Sequence, residues 1–160
     1  MTLRYARVAF TVGTVLVLAA LSHAQSKDPF VGTWKLNVAK STFSPGPGPK
    51  STTSVYEAVG KGYKITATTE PATGGTQQWS YTTSLDGAET PVTGNNPNAD
   101  TIAVKRIDAN TLEAVNKKGG KVTTTSRNVV SADGKTRTLT TTGVDAQGRT
   151  VQNVILFEKQ

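Results

Sequence analysis

The sequence predicts an all-β domain, an antiparallel up-and-down meander that closes into a barrel of about 8 to 10 strands. Three observations carry that reading. Stretches of period-two alternation run from Gly32 to the C-terminus, separated by Gly-, Asn- and Asp-rich turns at intervals of roughly 9 to 14 residues. The links are short enough that only antiparallel neighbours can use them. No stretch beyond Leu21 carries a helical apolar period, and abundant threonine and valine favour strand over helix. A β-sandwich is the alternative, although a Greek key calls for longer crossing connections.

The N-terminal segment reads differently. Arg4 and Arg7 precede an apolar run over residues 8–21, and Ser22-His23-Ala24 is a small-x-small cleavage site, the three parts of a signal peptide. The run is about 14 residues long, short of the roughly 20 that span a bilayer. The two arginines are not adjacent, so a twin-arginine signal is not indicated, and a chain without cysteine has no lipoprotein anchor. The expected product is a single domain, residues 25–160, soluble in the periplasm or secreted, with no membrane insertion.

Cleavage near Ala24 also narrows the chemistry. The single histidine, His23, leaves with the signal, so residues 25–160 contain neither histidine nor cysteine. The commonest general base, the commonest zinc ligand and the thiol nucleophile go with them, and a serine–histidine triad is excluded. No cofactor and no metal are expected. Without disulfides, stability must come from an apolar core, which a domain of this length can build. The formal net charge of +7 drops by two when Arg4 and Arg7 leave. The remaining basic residues are spread along the chain. Lys117, Lys118 and Lys121, flanking Gly119-Gly120, read as solvated hairpin-tip lysines that protect a sheet edge, and no nucleic-acid partner is expected.

The domain opens on Asp28-Pro29-Phe30-Val31-Gly32-Thr33-Trp34-Lys35-Leu36-Asn37, where Trp34 and Leu36 face one way and Thr33 and Lys35 the other. The Pro-Gly alternation over residues 45–49 rules out helix or central strand and reads as a strap across one end of the fold. Strands follow at 55–59 and 63–69. The next, 77–85, puts Trp79, Tyr81, Thr83 and Leu85 on one face, and Asp86-Gly87 after it is a hairpin signal. Residues 91–100 form the longest irregular connection. Strands over 101–108, 111–117, 121–131, 136–142 and 149–159 complete the meander, with turns at Ala109-Asn110, Gly119-Gly120, Asp133-Gly134 and 145–148. An outer-membrane barrel is disfavoured because 121–127 and 136–142 offer no continuous apolar outward face.

Gly32-Thr33-Trp34, at the head of the first strand of a meander soon after a signal peptide, resembles the Gly-x-Trp opening of lipocalins and related calycin barrels. Residues 30–36 are also similar to the opening of cytosolic fatty-acid-binding proteins. The longer reading, with Lys40-Ser41-Thr42-Phe43 and the Pro-Gly strap, resembles small exported bacterial proteins described only as lipocalin-like. The resemblance implies a barrel in which Gly32 and Trp34 are structural. It also implies a basic residue of the last strand over the tryptophan, for which the chain offers Lys159 or Arg149. The Arg-x-Tyr pair and the helical lid of fatty-acid-binding proteins are missing.

Within that frame, Trp79 and Tyr81 are candidates to line a cavity and stack on a ligand. Arg106 shares a face with Ile102 and Val104, and Arg127 with Val129; an arginine on an apolar face is costly unless an anion meets it, so both are candidate anchors for an acidic group. The chain holds 27 threonines, and Thr123-Thr124-Thr125 and Thr140-Thr141-Thr142 occupy both faces of their strands. Either the interior is wet or holds a polar-headed ligand, or these strands are the exposed flank of a small sheet. Asn96-x-Asn98-x-Asp100 lacks the glycine and glutamate of a calcium loop and reads as a turn. Gly119-Gly120-Lys121 is not a phosphate loop.

The sequence therefore predicts a non-enzymatic binding protein whose interior takes a small, partly apolar or amphiphilic molecule. The first alternative is an interaction or inhibitor protein working through its outer surface. In the last strand, residues 154–157 are apolar on both faces, so the strap, a partner or a second copy forming a homodimer must cover one of them. The second alternative is a cofactor-free isomerase or cyclase, which requires a buried carboxylate (Glu57 or Glu113) or a tyrosine in the cavity.

Overall fold

The computed structural model describes residues 28–160; the predicted signal segment, with His23, lies outside them. Eleven strands follow one another: β1 (Gly32–Thr42), β2 (Ser51–Val59), β3 (Gly62–Glu70), β4 (Gln77–Thr83), β5 (Asp86–Pro91), β6 (Thr93–Gly94), β7 (Thr101–Arg106), β8 (Thr111–Lys118), β9 (Lys121–Val130), β10 (Thr136–Val144) and β11 (Thr150–Lys159). They form one antiparallel sheet in the order β5-β7-β8-β9-β10-β11-β1-β2-β3-β4-β6. The last strand lies beside the first, so the meander curls into a nearly closed barrel, as predicted, and the sandwich alternative is set aside. The count exceeds the predicted 8 to 10 because the stretch after Leu85 contributes β5 and the two-residue β6. Among the described residues no helix is long and apolar enough to cross a membrane.

One expected hairpin is absent. Asp86-Gly87 signals a tight turn back onto β4, yet β5 pairs with β7, and β4 pairs with β3 and, over two residues, with β6. Leu85 is the cause. It is buried, it adopts φ 64°, and its backbone is held from both sides: its N–H donates to Thr83 Oγ1 at 3.2 Å and its carbonyl accepts from the Arg106 N–H at 3.0 Å. Burying that side chain turns the chain off β4 and leaves the barrel's one unpaired seam between β4 and β5.

The two ends of the barrel differ. Residues 28–31 cross one end, where Phe30 has no exposed surface and packs against the rings of Tyr56 and Tyr63 with centroids 6.2 Å away in each case. At this end a Cβ on Gly62 would overlap the Thr83 carbonyl. Gly62→Ala is therefore expected to lower stability by about 1 to 3 kcal/mol, measured by urea unfolding; a variant as stable as the parent would mean that the turn after β4 yields freely. The other end is the mouth, crossed by the Pro-Gly strap as predicted. The strap is pinned to β11, the Gln152 N–H donating to Ser44 O at 2.8 Å and the Ser44 N–H to Asn153 Oδ1 at 2.9 Å.

Candidate ligand site in the barrel interior

Interior side chains do not fill the barrel. A cavity of about 510 Å³ opens beneath the strap, and a lobe of about 180 Å³ adjoins it along β7, β8 and β9. Both are walled by Tyr56, Ile65, Trp79 and Tyr81. The strand registers stack these inward residues in rows. On one wall, Tyr56, Ile65 and Tyr81 are cross-strand partners, and so are Ser54, Ala67 and Trp79 one step nearer the mouth. That wall is largely apolar and aromatic.

The facing wall, β8 to β11, is not. Its deepest row pairs Val130, Arg137 and Phe157; the next pairs Leu112, Asn128, Leu139 and Ile155; the next pairs Ala114, Ser126, Thr141 and Asn153. Strand β9 is thus inverted relative to ordinary expectation, turning Thr124, Ser126 and Asn128 inward while Val122 and Val129 are exposed. A filled core would make that arrangement costly, but hydroxyl and amide groups facing an open cavity avoid the penalty of burial without partners.

Arg137 is the most unusual group in the site. It is 2% exposed, deep in the cavity wall, with Nη2 donating to Ser54 Oγ at 2.8 Å and Nη1 donating to Tyr56 Oη at 3.1 Å and Asn128 Oδ1 at 3.3 Å. The guanidinium carbon lies 4.1 Å from the centroid of the Phe157 ring, 5.0 Å from that of Tyr56 and 5.4 Å from that of Trp34. No carboxylate meets it. The ion pairs among the described residues are Lys40–Glu158, Arg106–Asp28, Lys117–Glu89, Arg127–Glu113 and Arg149–Asp145. The Arg137 Nε–H has no hydrogen-bond partner among the described residues. Burial pulls its pKa below the ordinary guanidinium value, with the phenols of Tyr56 and Tyr81 opposing. Ring faces offset part of the desolvation cost of a buried cation, but a hydrogen-bonding anion offsets far more.

The residues singled out in the sequence divide cleanly. Trp79 and Tyr81 both line the cavity. Burial pushes the Tyr81 phenol well above its ordinary 10.0, with the Tyr56 phenol adding to the shift and the Arg137 cation opposing it, which keeps the group protonated as a hydrogen-bond donor. The two arginines are elsewhere. Arg106 sits at the closed end, with Nη2 2.7 Å from Asp28 Oδ2 and bonded to the Tyr63 hydroxyl, its guanidinium 5.7 Å from the centroid of the Phe30 ring. It ties residues 28–31 to the barrel. Arg127 is on the outer face of β9, its Nη1 2.6 Å from Glu113 Oε1 and both side chains about half exposed. Neither lines the cavity; the arginines that do are Arg137 and Arg149, the latter paired with Asp145.

Trp34 is fully buried, donating Nε1–H to Phe30 O at 2.8 Å. Lys159 Nζ lies 4.9 Å from its ring centroid and donates to Pro29 O at 2.9 Å, so the basic residue over the tryptophan is Lys159 of β11 and not Arg149. Gly32 has φ 131°, and a Cβ there would sit 3.0 Å from Lys159 Cε. Glu57 and Glu113 are exposed, so neither supplies a cavity carboxylate; the carboxylate that borders the cavity is Asp145, held by Arg149 at 2.7 Å, and the tyrosines lining the cavity and its lobe are Tyr56, Tyr63 and Tyr81. Asn96 Oδ1 accepts the N–H groups of Asn98 and Ala99, forming the predicted turn. Lys117 pairs with Glu89, and Lys118 Nζ reaches Asn96 O at 3.4 Å beside the mouth.

The fold and the site together define a nearly closed, calycin-like β-barrel with an open interior. No family model matches the sequence, and no curated protein matches it significantly. Solved structures do resemble it. One is the zebrafish ileal bile acid-binding protein crystallised with cholic acid, aligned over 82% of this chain and 99% of that chain at 13% identity with a TM-score of 0.46.

Proposed function

We propose that this chain is an exported carrier that takes a small, partly apolar molecule bearing an acidic group into its barrel interior. The acid sits on Arg137, Ser54 and Tyr56, and the apolar body lies against Ile65, Ala67, Trp79 and Tyr81. The observation that carries the reading is the buried Arg137 guanidinium in the cavity wall, which no carboxylate among the described residues contacts, the cavity's own Asp145 being paired with Arg149. A cavity of about 510 Å³ is within the range of small-molecule sites, and its apolar, aromatic wall facing a polar one suits a molecule with both characters. Export rests on the sequence of residues 1–24 alone.

The experiment is mass spectrometry of an organic extract from protein purified out of the periplasm, beside a Trp79→Ala variant. An acidic small molecule, stoichiometric in the parent and depleted in the variant, is the expected result. The intact mass of the same sample reports whether cleavage falls near Ala24. An empty extract, joined to failure of the refolded protein to bind any amphiphilic acid, would favour the other reading, association through the outer face of β11. That reading keeps one supporting observation, the 46% exposure of Val154 on the outside of the last strand.

A further inference from the structure

The ligand's acidic end and apolar body leave one part of the interior without a role. In the row of Ala114, Ser126, Thr141 and Asn153, the last three are polar, they come from three adjacent strands, and they are only half-buried because they face the cavity or its lobe. Among the described residues, neither the Ser126 nor the Thr141 hydroxyl has a hydrogen-bond partner. Asn153 uses its Oδ1 to hold the strap through the Ser44 N–H, leaving its Nδ2 free to donate. By contrast, the row beneath is satisfied: Asn128 gives Nδ2–H to Tyr56 Oη at 3.2 Å and takes a bond from Arg137 on Oδ1. The row above is satisfied too, Asn116 Nδ2 donating to Thr124 Oγ1 at 3.0 Å. One layer of unspent hydrogen-bonding groups thus lies between two completed ones.

We infer that Ser126, Thr141 and Asn153 form a second polar subsite that reads a hydroxyl or carbonyl group on the body of the ligand. The cargo is then an oxygenated, two-faced acid and not a plain alkyl acid. The inference deepens the reading of Arg137 as the acid anchor and sets a spacing. The guanidinium reaches the level of Asn128, which it bonds, and the polar row is two residues further along β9 and β10. A strand advances roughly 6.5 to 7 Å in two residues, so the recognised oxygen lies about 7 Å mouthward of the acid group. Across the cavity from it stand Ala67 and Trp79, which receive the apolar face of the same molecule. A smooth alkyl chain filling this position strips water from two hydroxyls and an amide without replacing its bonds, which is how a site selects against an analogue lacking the polar group.

The test is calorimetric titration of the delipidated, refolded domain with long-chain acids of one length, unsubstituted or carrying a single hydroxyl at successive positions. Each compound is also titrated as its methyl ester. The parent is expected to prefer the isomers whose hydroxyl falls about 7 Å from the acid by several-fold to about tenfold, the ratio that one net hydrogen bond supports. A Ser126→Ala/Thr141→Val double variant, which keeps the shape of the wall, is expected to lose that preference while binding the unsubstituted acid at least as tightly. Equal affinity for every hydroxyl position, or a preference for the plain chain, overturns the subsite even where acids outbind esters. Esters that bind as well as acids while the positional preference persists overturn the acid anchor and leave the subsite standing. No binding by either series overturns both.

Discussion

Arg137→Met is expected to weaken binding of an amphiphilic acid by about 2 to 5 kcal/mol, a hundredfold or more at the middle of that range, while leaving the free protein as stable as the parent or more so. The two halves follow from one arrangement. In the free protein the guanidinium is buried with three neutral acceptors, three aromatic rings and an unpartnered Nε–H, but with no countercharge. Replacing buried ionic groups by well-packed apolar side chains is often neutral or stabilising, and methionine has the length and flexibility to reach toward the Phe157 ring over which the guanidinium carbon sits at 4.1 Å. Ser54, Tyr56 and Asn128 lose a donor, but all three border the cavity or its lobe, where water can replace it.

With an acid bound the balance reverses, because the variant leaves a carboxylate in a low-dielectric site with only hydroxyl and amide donors. Thermal unfolding of the free protein and titration with a long-chain alkanoate measure the two quantities separately. A variant destabilised by several kcal/mol with unchanged affinity would make Arg137 a strut of the core, and the acid-anchor reading would go with it.

The same arginine shows where sequence reasoning reached its limit. Trp34 with Leu36 and Trp79 with Tyr81 could be assigned to faces because large apolar groups alternate with polar ones along their strands, and the structure turns all four inward. On β9 the rule misleads. Val129 marked Arg127 as lying on a core-facing side, whereas the cavity accepts Ser126 and Asn128 and leaves Val129 outside. An open interior lets a strand present either face, so alternation fixes the period without fixing the direction. Arg137 was legible in principle: it shares a face with Leu139, the same criterion that drew attention to Arg106 beside Ile102 and Val104. The threonines around it hide the signal, because they suit a solvated flank as well as a wet interior. The seam between β4 and β5 had no signal of its own, since Asp86-Gly87 is a sound hairpin turn, and only the burial of Leu85, a long-range event, diverts it.

Trp34→Ala is expected to cost more stability than any other single truncation in the chain, about 4 to 5 kcal/mol, which is most of the stability of a marginal domain. Trp34 sits where the meander closes, paired with Ser54 of β2 on one side and Lys159 of β11 on the other. Its indole has no exposed surface, one ring edge holds the Phe30 carbonyl, and the cations of Lys159 and Arg137 lie within 5.4 Å of its centroid. Truncation therefore opens a cavity between the first and last strands and frees the segment that plugs the closed end, in addition to the lost apolar burial. Trp34→Phe separates these contributions: it retains most of the packing and loses only the bond to Phe30 O, for an expected cost nearer 1 to 2 kcal/mol. The chain has two tryptophans, so Trp79 remains as the fluorescent reporter in both variants, and it reports from inside the cavity. Chemical denaturation followed at that residue should show the Trp34→Ala midpoint falling sharply with its emission shifted toward that of a wetter site. Were the unfolding free energy within about 1 kcal/mol of the parent's, the junction of β1 and β11 would be held by its backbone ladder, and the Gly-x-Trp opening would not be what closes this barrel.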